Sequence, residues 1–574
     1  MQKSRLRAAI LNAANRNAAL VIKNAKIVNV FTEEIIEGDV AMRDGIIIGV
    51  GSYTGRVEID AKGGYLCPGL IDAHVHIESS MAHPSRFANV ILEKGTTSII
   101  ADPHEIANVC GSDGIQYMLD QTEWLPLSVF VMVPSCVPAT AFETSGAKLT
   151  ARDLEPFISH PRVLGLGEVM DYVATVEGDG EMLDKLHLFR HHPIDGHAPT
   201  LTGDALNAYI TAGPYTDHEC ITYEEVLEKL RKGLRIHLRL GSANRNVEEI
   251  MKKIAENNLP TRRMSFCTDD KHLSDIREEG HINYIVRRAV ANGIPPIKAI
   301  QMATINTADT YGIRHYGAVA PGYRADLVLF DNLTDFNPQF VITDGKVFEP
   351  SVDTHIKPDP KIYNSVHLAP RKPDIFKMPI TGKANIIRLI PKELVTALDV
   401  EDVYTENGLF VPRDGLQKLA VLERHHASGR VGLGILRGFD IKNGAIATTV
   451  GHDSHNLVVV GDNDADMLLA IDALEECGGG YVVVSNGVVL AKLVLSVAGL
   501  MSDAPLETIL KHQRELLDAA KQLGIHTESD PFITLSFIAL PVIPDVRLTD
   551  MGLFDVRTME DRKSTRLNSS HIPL

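Results

Sequence analysis

One pattern limits what this chain can fold into more than any other. Between about residues 66 and 312, a short apolar run, a polar or Gly/Pro-containing loop and a helical stretch recur eight times. The apolar runs are GLIDAHVH, TSIIADPHE, SVFVMVPSC, VLGLGEVM, PIDGHAP, TDHECI, RIHLRLGS and MSFCTDD. Helical patterns such as YEEVLEKLRKG, NVEEIMKKIAENN and HINYIVRRAVANG lie between them. Eight strands alternating with helices over about 250 residues is the order and length of a (β/α)8 barrel. An open doubly wound sheet is the alternative, but no Gly-x-Gly-x-x-Gly follows the first run. The expected fold class is α/β, a TIM-like barrel with smaller domains around it.

The flanks predict those smaller domains. ALVIKNAKIVNV and GDVAMRDGIIIGVG precede the repeats, and ADLVLFDN and FVITDGKVF follow them. Together they predict one small β-sandwich domain built from residues 1–65 and 313–350, so the barrel (residues 66–312) starts and ends near the same place. Met1 to Asn24 reads as an amphipathic helix, with no apolar block leading to a cleavage site. Residues 351–379 lack periodicity and read as a linker crossing a surface. Residues 380–557 predict a further α/β domain, with LLAIDALEEC as a helix and GGGYVVVSNGVVLAKL as a hairpin turning at Asn486-Gly487. The polar, basic end DRKSTRLNSSHIPL departs from everything before it, and residues 558–574 read as a disordered or non-native tail outside the fold.

Composition narrows the function classes. Apolar residues make up 44% and charged residues 23%, an ordinary globular balance without a run long enough to span a membrane. The net charge of −17 disfavours nucleic acid, which needs a basic face. Six cysteines, Cys67, Cys110, Cys136, Cys220, Cys267 and Cys477, contain no Cys-x-x-Cys pair. That argues against a disulfide framework and suits a reducing cytoplasm.

In a barrel, chemistry sits at the carboxyl ends of the strands, and the runs end in the right residues. His74 and His76 alternate at the end of the first run, and residues two apart in a strand share a face. The second run ends in Asp102, His104 and Glu105, the fourth in Glu168, the fifth in His197, the sixth in His218 and the eighth in Asp269 and Asp270. Each alone has an ordinary reading, as a helix N-terminal acid, a loop histidine or an N-cap. Placed at nearly every strand end, they form a set. Imidazoles and carboxylates are the ligand types of Zn²⁺, Mn²⁺ or Fe²⁺. In the last domain, Gly451-His452-Asp453-Ser454-His455-Asn456 lies between apolar runs. It reads as a loop capped by its own side chains, as part of the active site across the domain boundary, or as an extra metal site.

The His-x-His, the histidines on runs five and six and the Asp on run eight resemble the amidohydrolase superfamily. PGLIDAHVHIESS, DPHEIANVCG, SCVPA, GLGEVMDY, LNAYITAG, CTDD, VGHDSHN and LPVIPDVRLTDMGLFD resemble the adenine deaminases, over about residues 20–556. Many superfamily members carry a carboxylated lysine on strand four; the resemblance implies that Glu168 stands there instead. The seventh run departs from the common Arg-Glu-Gly-Ser, reading Arg239-Leu240-Gly241-Ser242.

The resemblance implies hydrolytic deamination of adenine to hypoxanthine and ammonia by a metal-bridged hydroxide, in purine salvage and adenine catabolism. It implies two divalent ions per chain, Mn²⁺ foremost with Fe²⁺ or Zn²⁺ as alternatives. Their ligands would be His74, His76, Glu168, His197, His218 and Asp269. Asp269, Glu168, His104 and Glu105 are the candidate catalytic residues. Asp269 relays the proton of the hydroxide, while His104 and Glu105 either protonate the ring or complete the metal site. Glu78, Ser135, Asp270, His452 and His455 are candidate substrate contacts. The expected partner is adenine, with no nucleic acid or membrane, in a cytoplasmic homodimer. Two alternatives remain open here: a cyclic amidase of the same architecture, and a metal-binding relative without catalysis. The nucleobase deaminases that use Pro-Cys-x-x-Cys are excluded by its absence.

Overall fold

The computed structural model describes residues 3–242, 247–351, 356, 358–391, 393–526, 530–558 and 560–561. The last stretch of the sequence, 562–574, lies outside the described residues.

The eight apolar runs are the eight barrel strands. They are β1 (Leu70–Val75), β2 (Thr96–Ala101), β3 (Ser128–Val133), β4 (Val163–Val169), β5 (Ile194–Gly196), β6 (Thr216–Asp217), β7 (Arg235–Arg239) and β8 (Met264–Cys267). β1 to β5 pair in parallel in chain order, as do β6 to β8. A parallel bridge between Val75 and Asp269 joins β8 to β1. Tyr215 N–H donates to Ile194 C=O at 3.2 Å, beside the β5–β6 gap. All six residues of β1 and all six of β2 are buried, as befits strands covered on both faces. The helices follow from the apolar stripe each presents inward: in Val247–Glu256 the buried residues are Val247, Ile250, Met251 and Ile254, at helical spacing.

The flanking strands come together across the barrel insertion. Tyr65–Pro68 pairs antiparallel with Leu327–Phe330, and with parallel register to Ala18–Asn29. One eight-stranded sheet results, with a core of its own that includes Ile22, Ile27, Val40, Leu66, Leu327 and Ile342. The first helix is shorter than the sequence suggests. It spans Lys3–Ala14, and the strand begins at Ala18, where the β-branched Val21 and Ile22 favour extended backbone. None of its residues is buried, so its apolar side chains face outward.

Residues 384–494 build the second large sheet, of eight strands. The helix Asp464–Cys477 covers one face, its first turn capped by the Asn463 side chain, which accepts from Asp466 N–H. The helix Leu506–Gln522 buries Ile509, Leu510 and Leu516 in the core that also holds the barrel. The expected hairpin pairs Gly480–Ser485 with Val488–Val494. The aperiodic stretch before this sheet is anchored: Ile362, Phe376 and Met378 are buried. No described helix is long and apolar enough to cross a membrane.

Candidate metal centre and substrate cleft

The carboxyl ends of the strands place imidazoles and carboxylates around one point. His74 and His76 project from β1 with their Nε2 atoms 3.1 Å apart. His76 Nε2 is 3.0 Å from Asp269 Oδ1 and 3.3 Å from Glu168 Oε1, and His74 Nε2 is 3.6 Å from the same Glu168 oxygen. The other Glu168 oxygen faces His197 Nδ1 at 2.6 Å and His218 Nε2 at 3.3 Å. Glu168 therefore turns one oxygen to the β1 histidines and one to the histidines that follow β5 and β6. All six expected ligands are in this nest. His104 joins it, with Nδ1 3.4 Å from Glu168 Oε1.

Surrounding groups hold these side chains in place. Asp102 Oδ2 accepts the Glu168 backbone N–H at 2.9 Å, while the Asp102 carbonyl faces His76 Nδ1 at 2.8 Å. Such bonds orient a ligating histidine through its remote nitrogen. The Arg239 guanidinium at the end of β7 bonds Glu219 through Nη2 at 2.8 Å and Asp269 through Nη1. Burial opposes ionisation of Asp269, but Arg239 and His76 hold its carboxyl well below the usual range. Burial likewise opposes ionisation of Glu168, and the neighbouring His197, His218 and His74 overcome it. On the other side, burial favours neutral His76, yet Asp269 and Glu168 push it well above its ordinary value. The nest is built to hold positive charge.

That donor set fits divalent cations. The groups whose ligating atoms converge include His74 with His76 and Asp269, His74 with Glu168 and His218, and His76 with His104 and Glu168. His218 Nε2 and His104 Nδ1 are buried with no hydrogen-bond partner. Buried nitrogens of this kind ordinarily find a partner, and a cation would serve. Imidazole and carboxylate without thiolate suit Mn²⁺, Fe²⁺ or Zn²⁺.

A narrow cleft lies beside the nest. Glu78, Ser79 and Met81 after β1 line it, with Ser242, Asp270 and His272 beyond β7 and β8. The opposite wall comes from the C-terminal region: Val450, His452, Tyr481, Ile533, Ser536 and Phe537. The His452 ring stacks on Phe537 at 4.3 Å. The candidate substrate contacts divide accordingly. Glu78, Asp270 and His452 line the cleft; His455 lies fully buried behind His452. Ser135 is elsewhere, its hydroxyl donating to the Glu168 carbonyl at 2.6 Å, beneath the β4 end. Glu105 accepts from Ser79 Oγ at 2.7 Å, and Ser79 also reaches Asp270 Oδ1 at 2.5 Å.

Sequence reasoning gave no role to Glu219, Arg239 and Asp453. Glu219 and Arg239 carry the signal of position, each at a strand end beside residues already singled out. Asp453, 3.8 Å from His104 Nε2, comes from the other domain, on the polar loop that the sequence already offers as part of the active site across the boundary.

A barrel with buried histidines and carboxylates at its strand ends, joined to a small β domain from both flanks, is the architecture of the metal-dependent amidohydrolases. The amidohydrolase family model matches residues 65–348, and the adenine deaminase C-terminal domain model matches residues 393–560. The chain is 47% identical to the adenine deaminase of Desulfitobacterium hafniense (strain Y51), over 94% of this chain and 95% of that one. It is also 47% identical to the adenine deaminase of Geobacillus kaustophilus (strain HTA426), over 96% and 97%. A solved adenine deaminase structure is 16% identical, with a TM-score of 0.46 over 58% of this chain and 100% of that chain. The chain belongs to the adenine deaminase family.

Proposed function

We infer that this chain hydrolyses the exocyclic C6–N bond of adenine, consuming one water and releasing hypoxanthine and ammonia. The observation that carries the reading is the near-full-length match, at 47% identity, to an adenine deaminase. The nest and the cleft against the matched C-terminal domain agree with it.

We propose two divalent ions per chain, Mn²⁺ foremost with Fe²⁺ or Zn²⁺ as alternatives. His74, His76 and Asp269 would hold one ion, His197 and His218 the other, with Glu168 shared. When bound, such ions activate water as Lewis acids near neutral pH. Asp269, kept ionised by Arg239, accepts the proton of the attacking water and returns it to the departing amine. Glu78 faces the cleft, and burial together with the charge of Glu105 raises its carboxyl to about 7. It is the acid suited to protonate ring nitrogen N1. His104, 3.4 Å from Glu168, completes metal coordination, the second of its two expected roles, while Glu105 stands beside the cleft through its bond with Ser79. His452, Tyr481 and Phe537 close the cleft from above, excluding water from the planar base.

The test is direct. Protein loaded with Mn²⁺ and given adenine should convert the adenine spectrum to that of hypoxanthine with equimolar ammonia. Loaded protein that leaves adenine unchanged, or opens a dihydropyrimidine ring instead, refutes the reading. Light scattering on the same preparation tests the expected homodimer.

A further inference from the structure

Beside the nest, the two domains bring a second set of donors together. Glu105 lies in the first turn of the helix His104–Thr122, on the barrel. His452 and His455 lie on the loop between the strands Gly444–Thr448 and Leu457–Gly461 of the C-terminal sheet. One ligating atom from each lies within 4.8 Å of the other two, and all three residues are buried. His452 Nδ1 is 3.8 Å from Glu105 Oε1, and the two imidazole centroids are 5.4 Å apart. The first distance exceeds a hydrogen bond. The groups converge without bonding one another.

Their remaining atoms are unsatisfied. Glu105 Oε2 and both ring nitrogens of His455 are buried with no hydrogen-bond partner. An imidazole at 0% exposure with neither nitrogen engaged gains nothing over an apolar ring of the same size. The loop nevertheless holds His455 at φ 56°, in the left-handed region where a non-glycine residue is strained. Ser79 bonds Glu105 Oε1 and leaves Oε2 without a partner. Asp453 and Asp270 add negative charge around His452, while the Arg424 guanidinium lies near His455.

We propose that Glu105, His452 and His455 form a third divalent-cation site, separate from the strand-end nest and shared between barrel and C-terminal domain. Two imidazoles and one carboxylate select Zn²⁺, Mn²⁺ or Fe²⁺, with further positions open to water from the cleft that His452 lines. Ser79 acts as the outer support that orients the carboxylate. The ion would tie the loop to the barrel, so its binding stabilises the closed assembly of the two domains.

The experiment counts metal. Full-length wild-type protein and the variants His455→Gln and Glu105→Gln are stripped, loaded separately with Mn²⁺ and Zn²⁺, desalted and analysed for bound metal per chain. Circular dichroism establishes that each variant is folded, and the two variants probe the site from opposite domains. Each folded variant should bind one equivalent less than wild type and gain less thermal stability on loading. Equal metal content in wild type and folded variants overturns the proposal, as does an equivalent retained only at millimolar metal. A nest that holds one ion rather than two alters all three proteins alike. The difference between them still reports the third site, and failure of the two-ion reading remains distinguishable.

Discussion

Glu168 is the residue on which the centre turns, because its two oxygens face histidines from β1 on one side and from the β5 and β6 ends on the other. Glu168→Gln is expected to lose at least one equivalent of metal. Asp270→Asn should retain it, since Asp270 bonds Ser79 and stands outside the nest. Metal analysis after dialysis checks this, and equal loss in both variants would remove Glu168 from the shared position. Arg239 gives a second prediction. Without its guanidinium, the Asp269 carboxyl rises, because the largest of the influences that oppose burial is gone. Asp269 must be ionised to accept a proton, so the acid limb of kcat/KM in Arg239→Gln should move to higher pH, by about 1–3 pH units. An unmoved limb would show that Arg239 only braces the fold. Gly167 shows how closely the support is fitted: a Cβ there would lie 2.1 Å from Asp102 Oδ2, the atom that holds the Glu168 N–H.

At the scale of elements, the helix Pro84–Glu93 illustrates a pH-dependent cap. His83 Nδ1 accepts from Ser85 N–H at 3.2 Å, and burial depresses this imidazole from 6.5 to about 4. Between those values the unfolded chain binds the proton that the folded chain excludes. The stability contribution is therefore complete above about 6.5 and is lost as the pH falls toward about 4. The full loss is on the order of 3 kcal/mol, from about 1.4 kcal/mol per pKa unit. His83→Asn keeps an N-cap acceptor without the titration. Its melting temperature should fall less than that of wild type between about pH 7 and about pH 4.5. Parallel pH dependence of the two proteins would rule out His83 as the source.

The whole molecule is joined by one core. Leu70 and Phe87 of the barrel belong to the same buried cluster as Leu419, Ile509 and Leu535 of the C-terminal region. Polar contacts fasten the same boundary: Thr144 Oγ1 donates to Asp550 Oδ2 at 2.6 Å, and Asn456 Nδ2 donates to the Thr144 carbonyl at 2.8 Å. Fully buried Arg424 donates to the carbonyls of Ser365 at 2.8 Å and Ala498 at 3.0 Å. Barrel and C-terminal sheet should therefore unfold together, as a single calorimetric transition. A resolved separate transition for either would contradict a shared core. The division between sequence and tertiary structure follows the range of the forces involved. Strand and helix periods are set by neighbouring residues, so the eight strands and the histidines and carboxylates at their ends could be read directly, while the choice of six as metal ligands came from the family resemblance. A barrel rule then carried those residues to one face. The supports were less legible: Ser135 has the chemistry of a substrate contact, yet it serves the Glu168 backbone. Apolar spacing likewise extended the first helix past Ala14, where strand pairing with Glu34–Arg43 takes over. His452 and His455 were visible as a polar motif between apolar runs. Their meeting with Glu105, 347 positions before His452 in the chain by numbering, is decided only by packing two domains on one core, because no local pattern records which loop that packing brings to the barrel mouth.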